Sequence, residues 1–211
     1  MDNIIDFYKY KEREKVKVYT KVIENIIMQR KNEDKIFYTS DMKKIAEDII
    51  NEFNKDGEKV SPVVKIAKSM GFDVYHKKLP KFLSGYIVIN TKYTKKYKNE
   101  KIIFINRDLN IFQQRFVIAH ELAHFLFDYD HNSIKYANTY IKNDHNSESE
   151  RRANTFAASI ILPEKKFREE YIKAININSE PLFVINYLMD FFKAPKKCVI
   201  KRIEEVNNYV F

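Results

Sequence analysis

The segment that decides the fold is "HELAH", residues 120–124, which lies within the long apolar run 111–127. This run is too long and too evenly apolar for a strand, so it predicts a buried helix. In a helix, His120 and His124 share one face, whereas Glu121 is rotated by about 100°. In the H-E-x-x-H pattern two imidazoles bind zinc and the carboxylate is the general base. A third protein ligand would leave one position open for water, as a catalytic zinc site requires.

Several residues are candidates for that third ligand. A metzincin would continue as H-x-x-G-x-x-H, but Phe127 stands where that pattern has its glycine. Asp130 stands at the ligand position of the same pattern and could still bind a metal. His131 and His145 are also near in sequence, but both fall in the polar connection 128–146, where exposed histidines are common.

Glu150 is the remaining candidate, and its position has two interpretations. In "SESERRANTFA", residues 147–157, Ser147 and Glu150 have the spacing of a helix-capping box. However, the apolar stripe of this helix requires it to pack, and the helix over 111–127 is the obvious neighbour. A carboxylate on a rigid packed helix makes a better ligand than one on a loop, which favours Glu150 as the ligand. The alternative sources of the cap are Asp144, Asn146 and Ser147.

Together, "QRFVIAHELAHFLF" (114–127) and "ESERRANTFAASIILP" (148–163) resemble the ImmA/IrrE family of zinc metallopeptidases. In that family a helix carrying R-F-x-x-A-H-E-x-x-H precedes a second helix carrying E-x-x-A-N-x-F-A-x-x-x-L-x-P. The resemblance implies that His120, His124 and Glu150 bind one zinc ion and that Glu121 is the catalytic carboxylate. It covers about residues 41–175, and residues 1–40 resemble nothing that we can place.

Two positions depart from the family pattern, and a third is a candidate neighbour of the metal. Ala123 stands where many members have glycine, and Arg152 where a second acidic residue is common. Neither change removes a ligand. Asn154 lies one turn after Glu150 and is a candidate hydrogen-bond partner for an imidazole or for Glu150. An ordinary helix-surface asparagine is an equal alternative.

The other periodic segments complete an α+β, zincin-like fold, in which a sheet of three or slightly more strands packs on the active-site helix pair. The predicted strands cover residues 72–76, 84–90 and 101–106. Further helical patterns cover 4–30, 41–53, 61–71, 180–192 and 196–207. These patterns predict a helical N-terminal extension (1–40), a metallopeptidase domain (41–175) and a C-terminal helical unit (176–211).

"SGYIVIN", residues 84–90, is a candidate for substrate contact. Zincins bind extended peptides beside a sheet edge, so Ser84, Gly85 and Tyr86 are candidates to receive the substrate as an added strand. An ordinary core strand is an equal alternative. Many relatives cut a helix-turn-helix repressor, so the resemblance implies this substrate class and derepression of genes of a mobile element or stress response.

Composition favours a globular protein of a reducing compartment. Hydrophobic residues make up 45% of the 211 residues and charged ones 32%, which is typical of globular domains. The N-terminus lacks the apolar stretch of a secretory signal, and no run approaches the roughly 20 apolar residues of a membrane span. Cys198 is alone and is expected to be a small buried hydrophobe. We therefore expect a cytoplasmic location and no membrane partner.

A second function class comes from the basic C-terminal segment. The net charge is +9, and lysines cluster at 92–101 and 193–202. Residues 180–206 also have a helix-turn-helix cadence with basic residues in the second helix. The alternative is therefore a DNA- or protein-binding regulator whose metal site is structural or idle. A solvated lysine-rich surface and a plain helical packing unit are the favoured interpretations, so a nucleic-acid partner is possible but not favoured.

Overall fold

The computed structural model describes residues 20–28, 38–54, 60–89, 94–128 and 147–208. These residues form one small sheet surrounded by helices, which confirms the predicted α+β class. The strands are β1 (Asp73–Lys77), β2 (Gly85–Ile89) and β3 (Lys101–Asn106). The helices are α1 (described at 20–28), α2 (Thr39–Phe53), α3 (Val63–Ser69), α4 (Thr94–Tyr97), α5 (Ile111–Phe127), α6 (Glu148–Ile161), α7 (Glu164–Ile177), α8 (Pro181–Phe192) and α9 (Lys196–Asn208).

The last strand in sequence, β3, lies in the middle of the sheet. It pairs in parallel with β1 and antiparallel with β2, so the strand order is β1-β3-β2. Every residue of β3 after Lys101 is buried, as expected for a central strand with both faces covered. Within the described residues, β2 is therefore an edge strand.

The helix pair α5 and α6 forms the centre of the hydrophobic core. On α5, Ile118 and Leu122 are buried, and on α6, Phe156 and Ile160 are buried. Burying each such side chain contributes about 1.5–3 kcal/mol to stability. Helix α2 also packs against α6, and α5 lies against β2 and β3. The predicted packing of α5 against α6 is confirmed.

Helix α7 was not predicted from the sequence, which gave no element between Pro163 and residue 180. Leu162 ends α6, and Pro163 is the N-cap residue of α7. Phe167 and Ala174 are fully buried on this helix, seven residues apart, so the periodic signal was present but short. The buried Glu170 accepts a hydrogen bond from Tyr187 (3.1 Å), which joins α7 to α8.

The C-terminal helices share the main hydrophobic core. Val184, Leu188 and Phe192 of α8 and Val199 of α9 belong to the same buried cluster as the α5–α6 pair. The predicted boundaries of the three units stay a prediction. None of the helices in the described ranges has both the length and the apolar character needed to cross a membrane.

Most of the predicted N-terminal extension lies outside the described residues. Its described part, α1, is anchored through Ile23, which is 1% exposed in the core. At the start of α2 the N-cap residue is Tyr38, and the carboxylate of Asp41 in the first turn accepts the backbone N–H of Tyr38 (3.0 Å). After α3, Gly71 has φ 85°, in the left-handed region that favours glycine.

Gly85 begins β2 at the point where the strand comes closest to α5. A Cβ atom built on Gly85 would lie 2.6 Å from Cγ1 of Val117 and 2.8 Å from the backbone oxygen of Phe104. The Phe104 oxygen belongs to the central strand and cannot move independently. Glycine therefore sets the distance between the edge strand and the helix that carries "HELAH".

We expect Gly85→Ala to lower the free energy of unfolding by about 1–3 kcal/mol, because the added methyl overpacks this contact. Urea denaturation measures the change. The control is Ser84→Ala, at a half-buried neighbouring position where only the hydroxyl is lost, with an expected change within about 0.5 kcal/mol. Equal stability of Gly85→Ala and the unmodified protein would contradict this packing argument.

Candidate metal centre

Three buried side chains converge between α5 and α6. Nε2 of His120 lies 3.0 Å from Nε2 of His124. The Glu150 carboxylate approaches both rings, at 3.5 Å from Nε2 of His120 and 3.2 Å from Nε2 of His124. The three residues are 2%, 3% and 7% exposed. In the part of the chain that the structure describes, they form a group that could hold a metal ion.

The donor set fits a zinc ion. Ligands at about 2.0–2.1 Å from a tetrahedral zinc ion lie about 3.3 Å from one another. The three separations here, 3.0 Å, 3.2 Å and 3.5 Å, cluster around that value. Two imidazoles and one carboxylate also leave a fourth position for water, which is the pattern of catalytic rather than structural sites.

Hydrogen bonds on the far side of each ring fix the orientation of both imidazoles. Nδ1 of His120 lies 3.1 Å from Oδ1 of Asn154, and Nδ1 of His124 lies 2.7 Å from Oδ2 of Asp128. Both partners are acceptors, so each Nδ1–H group donates a hydrogen bond. Each Nε2 therefore directs its lone pair toward the space between the two rings and the Glu150 carboxylate. Such outer partners normally set the tautomer and basicity of metal-binding histidines.

Asp128 is the centre of a small polar network that links α5 to α6. Besides His124, its carboxylate accepts hydrogen bonds from Ser149 Oγ (2.6 Å) and from Nη2 of Arg152 (2.7 Å). Both donors lie within two residues of Glu150 along α6. The network therefore positions a ligand on each helix at once.

Local charge makes this site attractive to cations. Burial alone would lower the pKa of His124, but the hydrogen bond to Asp128 and the charges of Glu121, Asp128 and Glu150 outweigh it and raise the pKa. Burial would raise the pKa of Asp128, but hydrogen bonds from His124, Ser149 and Arg152 hold it below its usual value. Asp128 is therefore an anion at neutral pH.

Glu121 is a buried carboxylate on the same helix as the two histidines, at 4% exposure. Its negative charge is among those that raise the pKa of His124, which places it within electrostatic reach of the ring. A carboxylate next to two imidazoles in a largely dry site is suited to accept a proton from a water molecule held there.

The backbone and the side chain of Glu150 lie in two different arrangements. The N-cap of α6 is Ser147, whose hydroxyl accepts the backbone N–H of Glu150 (3.2 Å). The Glu150 backbone thus takes part in capping, while its side chain lies beside the two histidines. The residue contributes to both arrangements through different atoms.

The other sequence candidates fall in different places. Asn154 contacts His120. Gly85 and Tyr86 begin β2, and Ser84 directly precedes it. Asp130, His131, Asp144, His145 and Asn146 lie outside the described residues.

Sequence reasoning missed Asp128 and Ser149, and noted Arg152 only as a departure from a pattern. Asp128 stands four residues after His124, one helical turn away, and that spacing was the available signal.

The comparison with known families agrees with this geometry. The family model described as the IrrE N-terminal-like domain, Peptidase_M78, matches residues 67–204, which is more than half of the 211-residue chain. The match spans both α5 and α6 and therefore all three converging side chains. A search of the curated proteins finds no significant match to the chain.

The two interpretations of Glu150 make opposite predictions for a pair of variants. Glutamine serves as well as glutamate in a capping box but is a far weaker zinc ligand than a carboxylate. We expect Glu150→Gln to keep the helix content and lose bound metal. Ser147→Ala should keep the metal and lose about 0.5–2 kcal/mol of stability. Elemental analysis after dialysis and thermal denaturation measure the two effects. Full metal content in Glu150→Gln would contradict a ligand role.

We expect Asp128→Ala to weaken zinc affinity about 10- to 100-fold, because His124 loses the acceptor that orients it. A competition titration against a chromophoric chelator measures the affinity. Asp190→Ala is the control, since its side chain is 78% exposed on α8. An unchanged affinity in Asp128→Ala would show that the ring is held without this carboxylate.

Proposed function

Since the chain belongs to the IrrE N-terminal-like peptidase family (Peptidase_M78), we propose that it is a zinc-dependent endopeptidase that cleaves a helix-turn-helix transcriptional repressor. Membership makes the protein a metallopeptidase, that is, a hydrolase acting on peptide bonds. The proposal adds the metal, the residues that act and the class of substrate. It also places the protein in the cytoplasm, where such a repressor works.

The observation that carries the proposal is the buried convergence of His120, His124 and Glu150 beside Glu121. In this proposal the first three residues hold zinc and Glu121 is the catalytic carboxylate. A zinc ion held there would lower the pKa of its bound water towards about 7 and would polarise the scissile carbonyl group.

Glu121 moves the protons of the reaction. Its carboxylate accepts a proton from the attacking water and later donates it to the nitrogen of the leaving amine. His120 and His124 keep the tautomer in which Nδ1 carries the proton and Nε2 the lone pair. Asn154 and Asp128 fix this tautomer because they accept hydrogen bonds from the Nδ1–H groups.

The edge strand β2 is the proposed docking strand for the substrate. It pairs with β3 on one side only among the described residues, which leaves its other side able to receive an extended peptide. In this proposal Ser84, Gly85 and Tyr86 bind the substrate backbone.

The loop before this strand is held in place by the buried Asn106. Its amide group donates to the backbone oxygens of Leu83 at 3.1 Å and of Leu79 at 3.4 Å. A fixed loop lowers the ordering cost of substrate binding.

A repressor as substrate rests on the resemblance of "RFVIAHELAH" and "ERRANTFA" to proteases that cut such proteins. Cleavage would remove the repressor from its operator and allow transcription of the genes of a mobile element or stress response.

The test is incubation of the zinc-loaded protein with candidate helix-turn-helix repressors encoded beside it, followed by mass spectrometry of the products. We expect cleavage at a defined bond, lost with a chelator and restored with zinc. Glu121→Gln should keep bound zinc and lose cleavage, because an amide cannot accept the proton. Full activity of Glu121→Gln would refute the assignment of the catalytic carboxylate.

A mobility-shift titration distinguishes the alternative regulator. Sequence-specific DNA binding by the chain itself, with a steep dependence on salt and no proteolysis, would favour a DNA-binding protein over a protease.

A further inference from the structure

A cavity of about 230 Å³ lies beside the metal centre, between α2, α5, α6 and α9. Two residues connect it to the centre. Asn154, which lines the cavity, contacts Nδ1 of His120 at 3.1 Å, and Phe116, which also lines it, has its ring centroid 6.1 Å from that of His120. A group bound in the cavity would therefore be one side chain away from a proposed zinc ligand.

The lining of the cavity is strongly cationic. It includes Lys43, Lys197, Lys201 and Arg202 but only one carboxylate, that of Glu205, an excess of three positive charges. Oε2 of Glu205 already accepts from both Lys43 (3.1 Å) and Arg202 (2.7 Å). Lys197 and Lys201 are exposed and lie one turn apart on α9.

Arg202 is an unusual residue at this position because it is only 4% exposed. Its Nε is buried and makes no hydrogen bond with any described residue, and its Nη2 has a long contact (3.4 Å) with Ser159 Oγ. A buried guanidinium is costly unless its donors are satisfied, and its planar set of N–H groups matches a carboxylate. Arg202 therefore adds positive charge at the wall of the cavity, and the exposed Lys197 and Lys201 are the accessible donors.

From these features we propose that the cavity binds an acidic side chain of the substrate and so sets a preference for substrates that carry glutamate or aspartate at one position. The inference rests on the proposed protease function, because it adds a specificity site to that reaction. A carboxylate would gain attraction from Lys197, Lys201 and Arg202 that a neutral side chain would not, and the same field would speed the approach of an acidic peptide.

Cys198 provides a direct measurement that does not need catalysis. It is the single cysteine of the chain, and it lines the cavity. Burial raises the pKa of its thiol to about 11, against the opposing charges of Lys201 and Arg202, so alkylation is carried out in mildly alkaline buffer. The rate of modification by iodoacetamide, followed by the mass of the protein, reports whether the cavity is occupied.

The experiment uses zinc-loaded Glu121→Gln protein and two sets of capped alanine-based peptides. In one set a single glutamate is moved through the sequence, and in the other a glutamine replaces it. We expect at least one glutamate peptide to slow alkylation several-fold while its glutamine counterpart does not. Adding K197E/K201E should abolish the protection. The matched charge reversal K44E/K95E, at exposed lysines that do not line the cavity, should keep it.

Equal effects of the two peptide sets, no protection by either, or protection that survives K197E/K201E would overturn the proposal. Inorganic phosphate is a separate arm, and protection by phosphate alone would overturn the assignment to substrate side chains. Protection by glutamate peptides in a protein that cleaves no repressor would count against the protease proposal alone. Cleavage without any protection would count against the cavity alone.

Discussion

The structure depends on one electrostatic constraint, which is that three electron-donating groups meet in a nearly dry space. The Nε2 atoms of His120 and His124 and the carboxylate of Glu150 lie 3.0–3.5 Å apart. With both Nδ1–H groups donating outward, lone pairs and a negative charge face one another, and a cation is the natural way to balance them. The packing of α5 on α6 and the Asp128 network both act to keep this arrangement in register.

The C-terminal end of α5 and the N-terminal end of α6 meet at the metal centre. His124 lies in the last turn of α5, where unpaired carbonyl groups carry partial negative charge and favour a cation. Glu150 lies in the first turn of α6, where unpaired N–H groups favour a carboxylate in its ionised form. The backbone therefore supports the same charge distribution that the side chains create.

The sequence predicted those parts of the fold and site that follow from local spacing. The i and i+4 histidines and the apolar stripes of α5 and α6 favoured Glu150 as the neighbour of "HELAH". The parts it could not predict depend on tertiary contacts. Strand order places β3 between two strands that precede it, which no local pattern encodes. Asp128 was assigned to the polar connection, and its role requires Arg152 from another helix to offset its charge.

Because the candidate ligands come from two helices, a bound metal would also act as a reversible cross-link within the core. Its binding energy would add to the stability of the α5–α6 pair, by about 1.4 kcal/mol for each tenfold rise in free metal above the dissociation constant. The folded fraction of this protein would then depend on the metal supply of the cell. A shortage of the ion would then lower both the amount of folded enzyme and its activity.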